Sequence, residues 1–191
     1  MGIGTIVFAV VLALICVYAV TIYNGLVSLK HACSKHLANI DVLLKQRHDE
    51  LPKLVETCRQ YMVYEKDALA TVIQARNQVA SAREQGNMTS LGKAETGLRR
   101  GLGQLFALAE NYPELKSNES FQHLQSRISG MEHAIADRRE VYNEAVNNNN
   151  VRIEQFPDVL LARAFHFNEF QLLEFEKQQT RDVDLKALFS C

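Results

Sequence analysis

Tryptophan is absent from this 191-residue chain, and proline (3) and glycine (9) are scarce. That scarcity excludes collagen-like repeats and proline-rich disorder. Cysteine is sparse too, at 4, and no Cys-x-x-Cys spacing occurs. Cys16, Cys33, Cys58 and Cys191 do not form a disulfide framework, and unpaired thiols fit a reducing compartment. Excess charge of one sign is missing as well: 21 basic and 22 acidic residues give a net charge of −1. The broad basic field of a general nucleic-acid binder is therefore excluded.

One further absence is local. From Met1 to Leu29 there is no Asp, Glu, Lys, Arg or His. Ile3 to Tyr23 is an apolar run of 21 residues, against the ~20 needed to cross a hydrocarbon core. Tyr18 and Tyr23 lie toward one end, where an amphipathic ring sits among headgroups. A cleaved signal peptide needs a basic start and a shorter run, and a lipoprotein signal needs a small residue where Ile15 precedes Cys16. The segment reads as an uncleaved anchor. Lys30 and Lys35 follow it and no Lys or Arg precedes it, which places the bulk of the chain on the cytoplasmic side.

What is present beyond the anchor is helical periodicity. Ile40, Leu44, Arg47, Leu51, Leu54, Cys58, Tyr61, Glu65, Leu69, Val72 and Arg76 recur at three- and four-residue steps and keep one helix face. Pro52 interrupts a hydrogen bond within that run. The apolar phase continues across it and no glycine marks a reversal, so the pattern predicts one kinked helix to about Glu84. Gln85-Gly86-Asn87 breaks it, and Met88-Thr89-Ser90 offers caps for a second helix through Leu91, Leu98, Leu105 and Ala109. Asn111-Tyr112-Pro113 stops that helix. A third, capped at Ser117 or Asn118, carries Phe121, Leu124, Ile128, Met131, Ile135, Arg138, Tyr142 and Ala145 and runs to Ile153. Four asparagines, Asn147 to Asn150, lower its propensity. Phe156-Pro157 ends it, and Asp158 to Phe167 is expected to return Leu160, Leu161, Ala164 and Phe165 to the core. Short connections between long helices imply antiparallel neighbours. The reading is all-α: an anchor over residues 1–23, an antiparallel four-helix-type bundle over 24–167, and a variable tail over 168–191.

No phosphate-binding loop, nucleophile elbow, His-Glu-x-x-His or dinucleotide fingerprint occurs. His31, Cys33 and His36 fall short of the ligand number a metal site needs. Gly97-x-x-x-Gly101 suggests a close approach of two helix backbones. The inward-facing polar residues Arg47, Glu65, Arg76, Glu132, Arg138 and Tyr142 are more informative. A charge on an inward face must be paired, so an interhelical ion-pair network is expected. The other reading is a polar cleft around Arg76, Glu132 and Arg138 that binds a ligand or metal. No catalytic set completes, so neither an enzyme nor a cofactor is expected.

Several strings together resemble the LemA family of bacterial membrane proteins. They include Tyr23-Asn24-Gly25-Leu26, Asn39-Ile40-Asp41 through Lys45 and Arg47, Leu51-Pro52-Lys53-Leu54, Glu65, Ala75-Arg76, Glu110-Asn111-Tyr112-Pro113-x-Leu115-Lys116, Arg138-Arg139-x-x-Tyr142-Asn143 and Phe156-Pro157. Leu37 stands where the family usually has tryptophan. Asn149-Asn150 replaces a second Tyr-Asn seven residues after the first. The resemblance implies a single span in the inner membrane and a helical bundle, and it implies no activity. One relative type acts in magnetosome membrane biogenesis, which suggests an organising role. The implied interaction residues are Asp41, Lys45, Arg47, Glu65, Arg76, Glu110, Asn111, Tyr112, Pro113, Glu132, Arg138, Arg139, Tyr142 and Asn143. The expected partners are the bilayer, through residues 3–23, and a protein or a second copy of this chain. The expected role is a membrane-anchored scaffold or adaptor.

Overall fold

The computed structural model describes residues 2–175. Six helices follow one another: α1 (Ile3–Arg59), α2 (Lys66–Glu84), α3 (Met88–Ala109), α4 (Pro113–Lys116), α5 (Glu119–Glu154) and α6 (Asp158–Ala164). No strand occurs among the described residues. Helix starts follow the chemistry of their caps. Asn87 accepts from the Ser90 N–H and Asn118 from the Phe121 N–H, which satisfies amide donors that a helix start leaves free. Pro113 opens α4, where its missing N–H costs nothing. Gly86 turns α2 into α3 at φ +64°, a conformation glycine adopts without steric penalty.

The four long helices alternate in direction. Asp41 on α1 meets Arg83 on α2 at 3.1 Å, and His48 meets Arg76 further along. Gly101 on α3 lies against Thr71 and Val72 of α2. On α5, Ala145 sits opposite Cys33 of α1 and Arg127 opposite Glu50. The result is an antiparallel four-helix bundle. Its core includes Ile40, Leu51, Leu54, Val72, Leu98, Leu105, Phe121, Ile128 and Ile135, all nearly inaccessible. Burying such a side chain contributes roughly 1.5–3 kcal/mol.

The expected single kinked helix to Glu84 does not form. Helix α1 ends at Arg59, and residues 60–65 reverse the chain without glycine or proline. The N–H groups of Tyr61 and Met62 both bond to the Cys58 carbonyl, and Met62 plugs the turn at 1% exposure. Tyr61 and Glu65 flank the reversal and both receive hydrogen bonds from across it, from Asn118 and Tyr112. The reversal keeps the inward stripe in phase, so periodicity alone reads straight through it.

Pro52 lies inside α1 without ending it. A proline has no N–H to give the carbonyl four residues back, which is His48. Arg76 Nε donates to that His48 carbonyl oxygen at 3.0 Å. A side chain of the returning helix thus replaces the hydrogen bond that the proline removes.

Before the bundle begins, α1 is bare. Side chains from Ile3 to Val20 are exposed except the half-buried Ala19, and the first buried one is Ile22. Among the described residues, α1 is the one helix long and apolar enough to cross a membrane. It passes from that stretch into the core without a break. From Tyr23 to Arg59 it carries the bundle over about 54 Å at ~1.5 Å per residue.

Two expectations change at the ends. Helix α6 returns Ala162 to the interior, but Leu160 (62%) and Phe165 (57%) stay exposed, and Ala164 does too. The helix is a single short turn pair, so only one narrow face reaches α1 and α5. Residues 168–175, expected as a tail apart from the bundle, pack along α5 and bury Leu173. Residues 176–191 of that tail lie outside the described residues.

The pairing of Pro52 with Arg76 is testable by a double-mutant cycle. Arg76→Met should destabilise the folded domain by about 1–3 kcal/mol, the penalty of an unsatisfied buried polar group. In a Pro52→Ala background the new N–H reaches the His48 carbonyl, and the same change should cost less than about half as much. Equal losses in both backgrounds, measured by denaturant unfolding, would refute the pairing.

Candidate functional site: a buried charge cluster and a strapped groove

Arg47 is the largest fully buried side chain, at 1% exposure. It reaches from α1 to both other core helices on its side. One guanidinium nitrogen meets Glu95 of α3 at 2.5 Å, and another meets Glu132 of α5. Arg99 of α3 closes on the second oxygen of Glu132 at 3.2 Å. Burial pulls the Arg47 guanidinium down, and the charges of Glu95 and Glu132 more than offset this, leaving it above the usual arginine value. Burial pushes the Glu95 carboxyl up, and Arg47 offsets only part of that rise. The expected ion-pair network is present, with Arg47 as its centre and Glu95 as a member the sequence reading missed. The signal was available: Glu95 lies four residues after Leu91 and three before Leu98, on the inward face of α3.

The alternative cleft around Arg76, Glu132 and Arg138 does not assemble. Glu132 belongs to the Arg47 cluster, while Arg76 and Arg138 donate to main-chain carbonyls on α1, those of His48 and Asn39. They approach α1 from different helices and converge on no common point. Among the described residues, no group of three or more His, Cys, Asp or Glu is placed to hold a metal.

The other expected residues divide by location. Asp41 pairs with Arg83, and Lys45 is exposed. Glu65 accepts from the Tyr112 hydroxyl at 3.3 Å, tying the two turns at the far end of the bundle together. Glu110 pairs with Lys116 around the exposed Asn111 and Pro113. The string from Glu110 to Lys116 is therefore an end-cap of the bundle, remote from the Arg47 cluster.

Arg139, Tyr142 and Asn143 act elsewhere, on the chain that follows α6. Residues 168–175 return along α5 in extended form. Asn150 makes both hydrogen bonds of a strand pair with Phe170, accepting from its N–H at 3.0 Å and donating to its carbonyl at 2.9 Å. Asn143 does the same with Leu173, at 2.9 and 3.1 Å. Tyr142 donates its hydroxyl to the Gln171 carbonyl, and Asn149 donates to that of Asn168. The spacing is set by geometry. Seven helical residues rise ~10.5 Å, and three extended residues span ~10 Å, so Asn143 and Asn150 match Phe170 and Leu173. The asparagines that weaken α5 as a helix hold this strap. Asn150 makes the same paired contact as Asn143, so the departure at Asn149-Asn150 leaves the bonding unit whole.

Gly92 marks where the strap crosses α3. A Cβ there would lie 1.9 Å from the Glu174 carbonyl oxygen. The predicted close approach at Gly97-x-x-x-Gly101 is met at Gly101 alone, and nothing lies within 4 Å of a Cβ at Gly97. The tight position was missed because the contacting partner is extended chain, which has no helical signature.

At its described end the strap presents Phe175 to two guanidinium groups, Arg139 at 4.3 Å and Arg99 at 5.7 Å from the ring centre. Burial and the nearby Arg99 hold Arg139 below the usual arginine value. Beside this stack opens a cleft of about 740 Å³ lined by Lys93, Arg99, Arg139, Asn143 and Glu174, among others. Arg99 also pairs with Glu132, so the cleft and the buried cluster share one side chain.

Two outcomes test this arrangement. Arg47→Met should destabilise the domain by about 3–5 kcal/mol at neutral pH, because it strands the buried Glu95. Without Arg47 the raised Glu95 pKa rises further. A carboxyl whose folded pKa exceeds its unfolded value stabilises the fold below the unfolded pKa and loses that contribution as pH rises. The deficit measured by denaturant unfolding should therefore shrink toward acid pH, and adding Glu95→Leu should recover most of it. A pH-independent deficit would refute this origin. For the strap, Asn143→Ala with Asn150→Ala should speed hydrogen exchange at the Phe170 and Leu173 amides, at about 1–3 kcal/mol per asparagine. Gly92→Ala should release the same two amides by steric displacement. Unchanged exchange in both variants would show that these contacts do not hold the strap.

Known proteins resemble this chain in sequence. The LemA family matches residues 36–186 of the chain, a range that extends past residue 167 and includes the strap. Magnetosome proteins MamQ 2 and MamQ 1 of Paramagnetospirillum magneticum are each 26% identical over 176 residues, covering 77% of this chain and 65% of theirs. Magnetosome protein MamQ of Magnetospirillum gryphiswaldense is 23% identical over 172 residues, covering 78% of this chain and 63% of its own length. The chain thus spans just under two-thirds of the curated relatives it matches. With its all-α bundle built on one apolar N-terminal helix, the chain is a membrane-associated helical protein that belongs to the LemA family.

Proposed function

We propose that this protein is a non-enzymatic, single-pass scaffold or adaptor that holds a rigid helical bundle at the cytoplasmic face of the inner membrane. One observation carries the reading: α1 is an unbroken helix that is bare and apolar at its start and the bundle's central element thereafter. A flexible linker would let a catalytic domain sample space. A continuous helix instead fixes the bundle's height and tilt, which suits a platform for other molecules. The buried charges support the same reading. Arg47 pairs with both Glu95 and Glu132, and Arg99 balances the second carboxylate, so these charges are spent on one another. The MamQ relatives are magnetosome proteins by name, which agrees with a role in organising a membrane.

A second reading is favoured by one observation, the three cations Lys93, Arg99 and Arg139 that line the cleft at the strap's end. There the bundle would receive an acidic group of a partner, and adaptor and binding site would be one.

The thiols of Cys33 and Cys58 are buried, and burial pushes Cys58 up to about 12, so a new surface cysteine gives a clean signal once Cys16 and Cys191 are replaced. With Asn87→Cys, an impermeant maleimide should label only after lysis. Cross-linking in intact membranes should then capture a partner or a second copy, and Arg139→Ala should weaken capture if the cleft takes part. Labelling of intact cells would place the bundle outside, and recovery of neither partner nor oligomer would overturn the scaffold reading.

A further inference from the structure

The end of the bundle beside the apolar stretch carries a second apolar surface. Phe156 is 81% exposed, Leu160 62% and Phe165 57%. Phe156 lies in the turn that precedes α6, Leu160 in its first turn and Phe165 just past its end, so the three bracket this short helix. The same corner buries Ala162 and Asp158, so it is folded rather than loose, and Asp158 is held by Arg152. Large apolar side chains standing free in water are unfavourable by roughly 1.5–3 kcal/mol each relative to burial.

Their position is set by the register of α5 against α1. Ala145 lies opposite Cys33. Continuing residue for residue along the antiparallel pair, Glu154 lies beside Asn24, and Phe156 falls beyond it toward the apolar stretch. The contacts agree. Ile22 and Leu26 form a small separate cluster with Ile153 and Ala162. The ring of Tyr23 meets Phe165 edge-on at 4.9 Å and Phe167 at 5.9 Å. Tyr23 closes the apolar run, at the level where a spanning helix leaves the hydrocarbon.

We propose that the corner of Phe156, Leu160 and Phe165 is a second membrane contact, inserted at the headgroup–acyl boundary beside the exit of α1. The inference rests on the reading that residues 3–23 span the bilayer. What identifies the occupant as lipid is continuity: the register places this corner beside the span's own exit, and Phe165 stacks edge-on against Tyr23 at that exit. The composition matches an interfacial site, with aromatic rings at the boundary level and the exposed Arg163 two residues before Phe165. A span alone leaves a protein free to rotate about its helix axis. A second contact off that axis holds the bundle's tilt and roll, so the strap groove and the cleft keep one height and inclination relative to the membrane plane.

The absence of tryptophan makes the test direct, since any introduced tryptophan is the sole such fluorophore. Full-length Phe156→Trp, Val10→Trp and Tyr64→Trp would each be reconstituted in phosphatidylcholine vesicles containing lipids brominated either high or low on the acyl chain. Val10→Trp reports the span, and Tyr64→Trp, 90% exposed at the far end, reports water. The expected result for Phe156→Trp is blue-shifted emission relative to Tyr64→Trp, with stronger quenching by the high bromines, as for a group ~5–10 Å deep. Val10→Trp should be quenched more by the low bromines. If Phe156→Trp matches Tyr64→Trp while Val10→Trp is quenched, the corner is not a lipid contact and the span stands. If Phe156→Trp is shielded from both bromines and aqueous acrylamide, a protein surface covers the corner, and the proposal fails. If Val10→Trp is not quenched, the span reading itself fails and takes the proposal with it. Leu160→Trp repeats the measurement should Phe156→Trp not fold.

Discussion

Helix α1 meets two environments along one backbone, and every other element is arranged around that fact. Its first turns expose Ile, Val, Leu and Phe on all sides. From Ile22 on, the exposed and buried positions separate into faces. A helix satisfies its own backbone groups in either environment, so only the side chains need to change at the boundary. No loop is required there. The bundle is consequently built onto the continuing helix, with α5 running nearly its full soluble length and the shorter α2 and α3 completing the layer.

The charged centre follows from the same packing. Arg47 lies where α1, α3 and α5 converge, a place without water to solvate it. Removing an ion from water costs several kcal/mol unless good partners replace the solvent. Here two carboxylates from two helices do so, and Arg99 balances the second of them. Such a cluster adds little net stability compared with a packed apolar centre. Its effect is on register, because sliding α3 or α5 by one turn would strand a charge. The Arg76–His48 contact works alike on α2, since the carbonyl freed by Pro52 occurs at one place only.

The two ends of the bundle differ in kind. The far end is closed by polar bonds between turns, Tyr112 to Glu65 and Asn118 to Tyr61. The near end is closed by apolar and aromatic contacts around Tyr23 and Ile22. Between them, on the flank of α3 and α5, the strap supplies main-chain groups to a row of asparagines and tyrosine. Asparagine is a poor helix residue because its short amide competes for backbone partners. In α5 that property is used on a different backbone segment, and Phe175 then locks the strap beneath Arg139.

The helical character of the chain, its amphipathic faces, the cap at Asn118 and the apolar leader were legible, since each depends on residues within a few positions of one another, whereas the cap of α3, read at Met88 to Ser90, lies one residue earlier at Asn87. Arg47 and Glu132 were legible as inward charges because a 3.6-residue period places them on the core face. The reversal at residues 60–65 was not, because it leaves that period in phase and uses neither glycine nor proline. Glu95 was readable by the same rule and was passed over. Which charge meets which was decided in three dimensions: Arg76 and Arg138 turned to main-chain carbonyls while Glu132 turned to Arg47. The strap was invisible to periodicity altogether. Its hydrogen bonds join side chains of a helix to the backbone of an extended segment about twenty to thirty residues later, as in Asn150 with Phe170 and Asn143 with Leu173, and an extended chain with no sheet carries no repeating pattern. Leu160 and Phe165 of the exposed corner likewise read as core-forming and Phe156 as a helix stop, and only the antiparallel register of α5 against α1 places them beside the end of the apolar run.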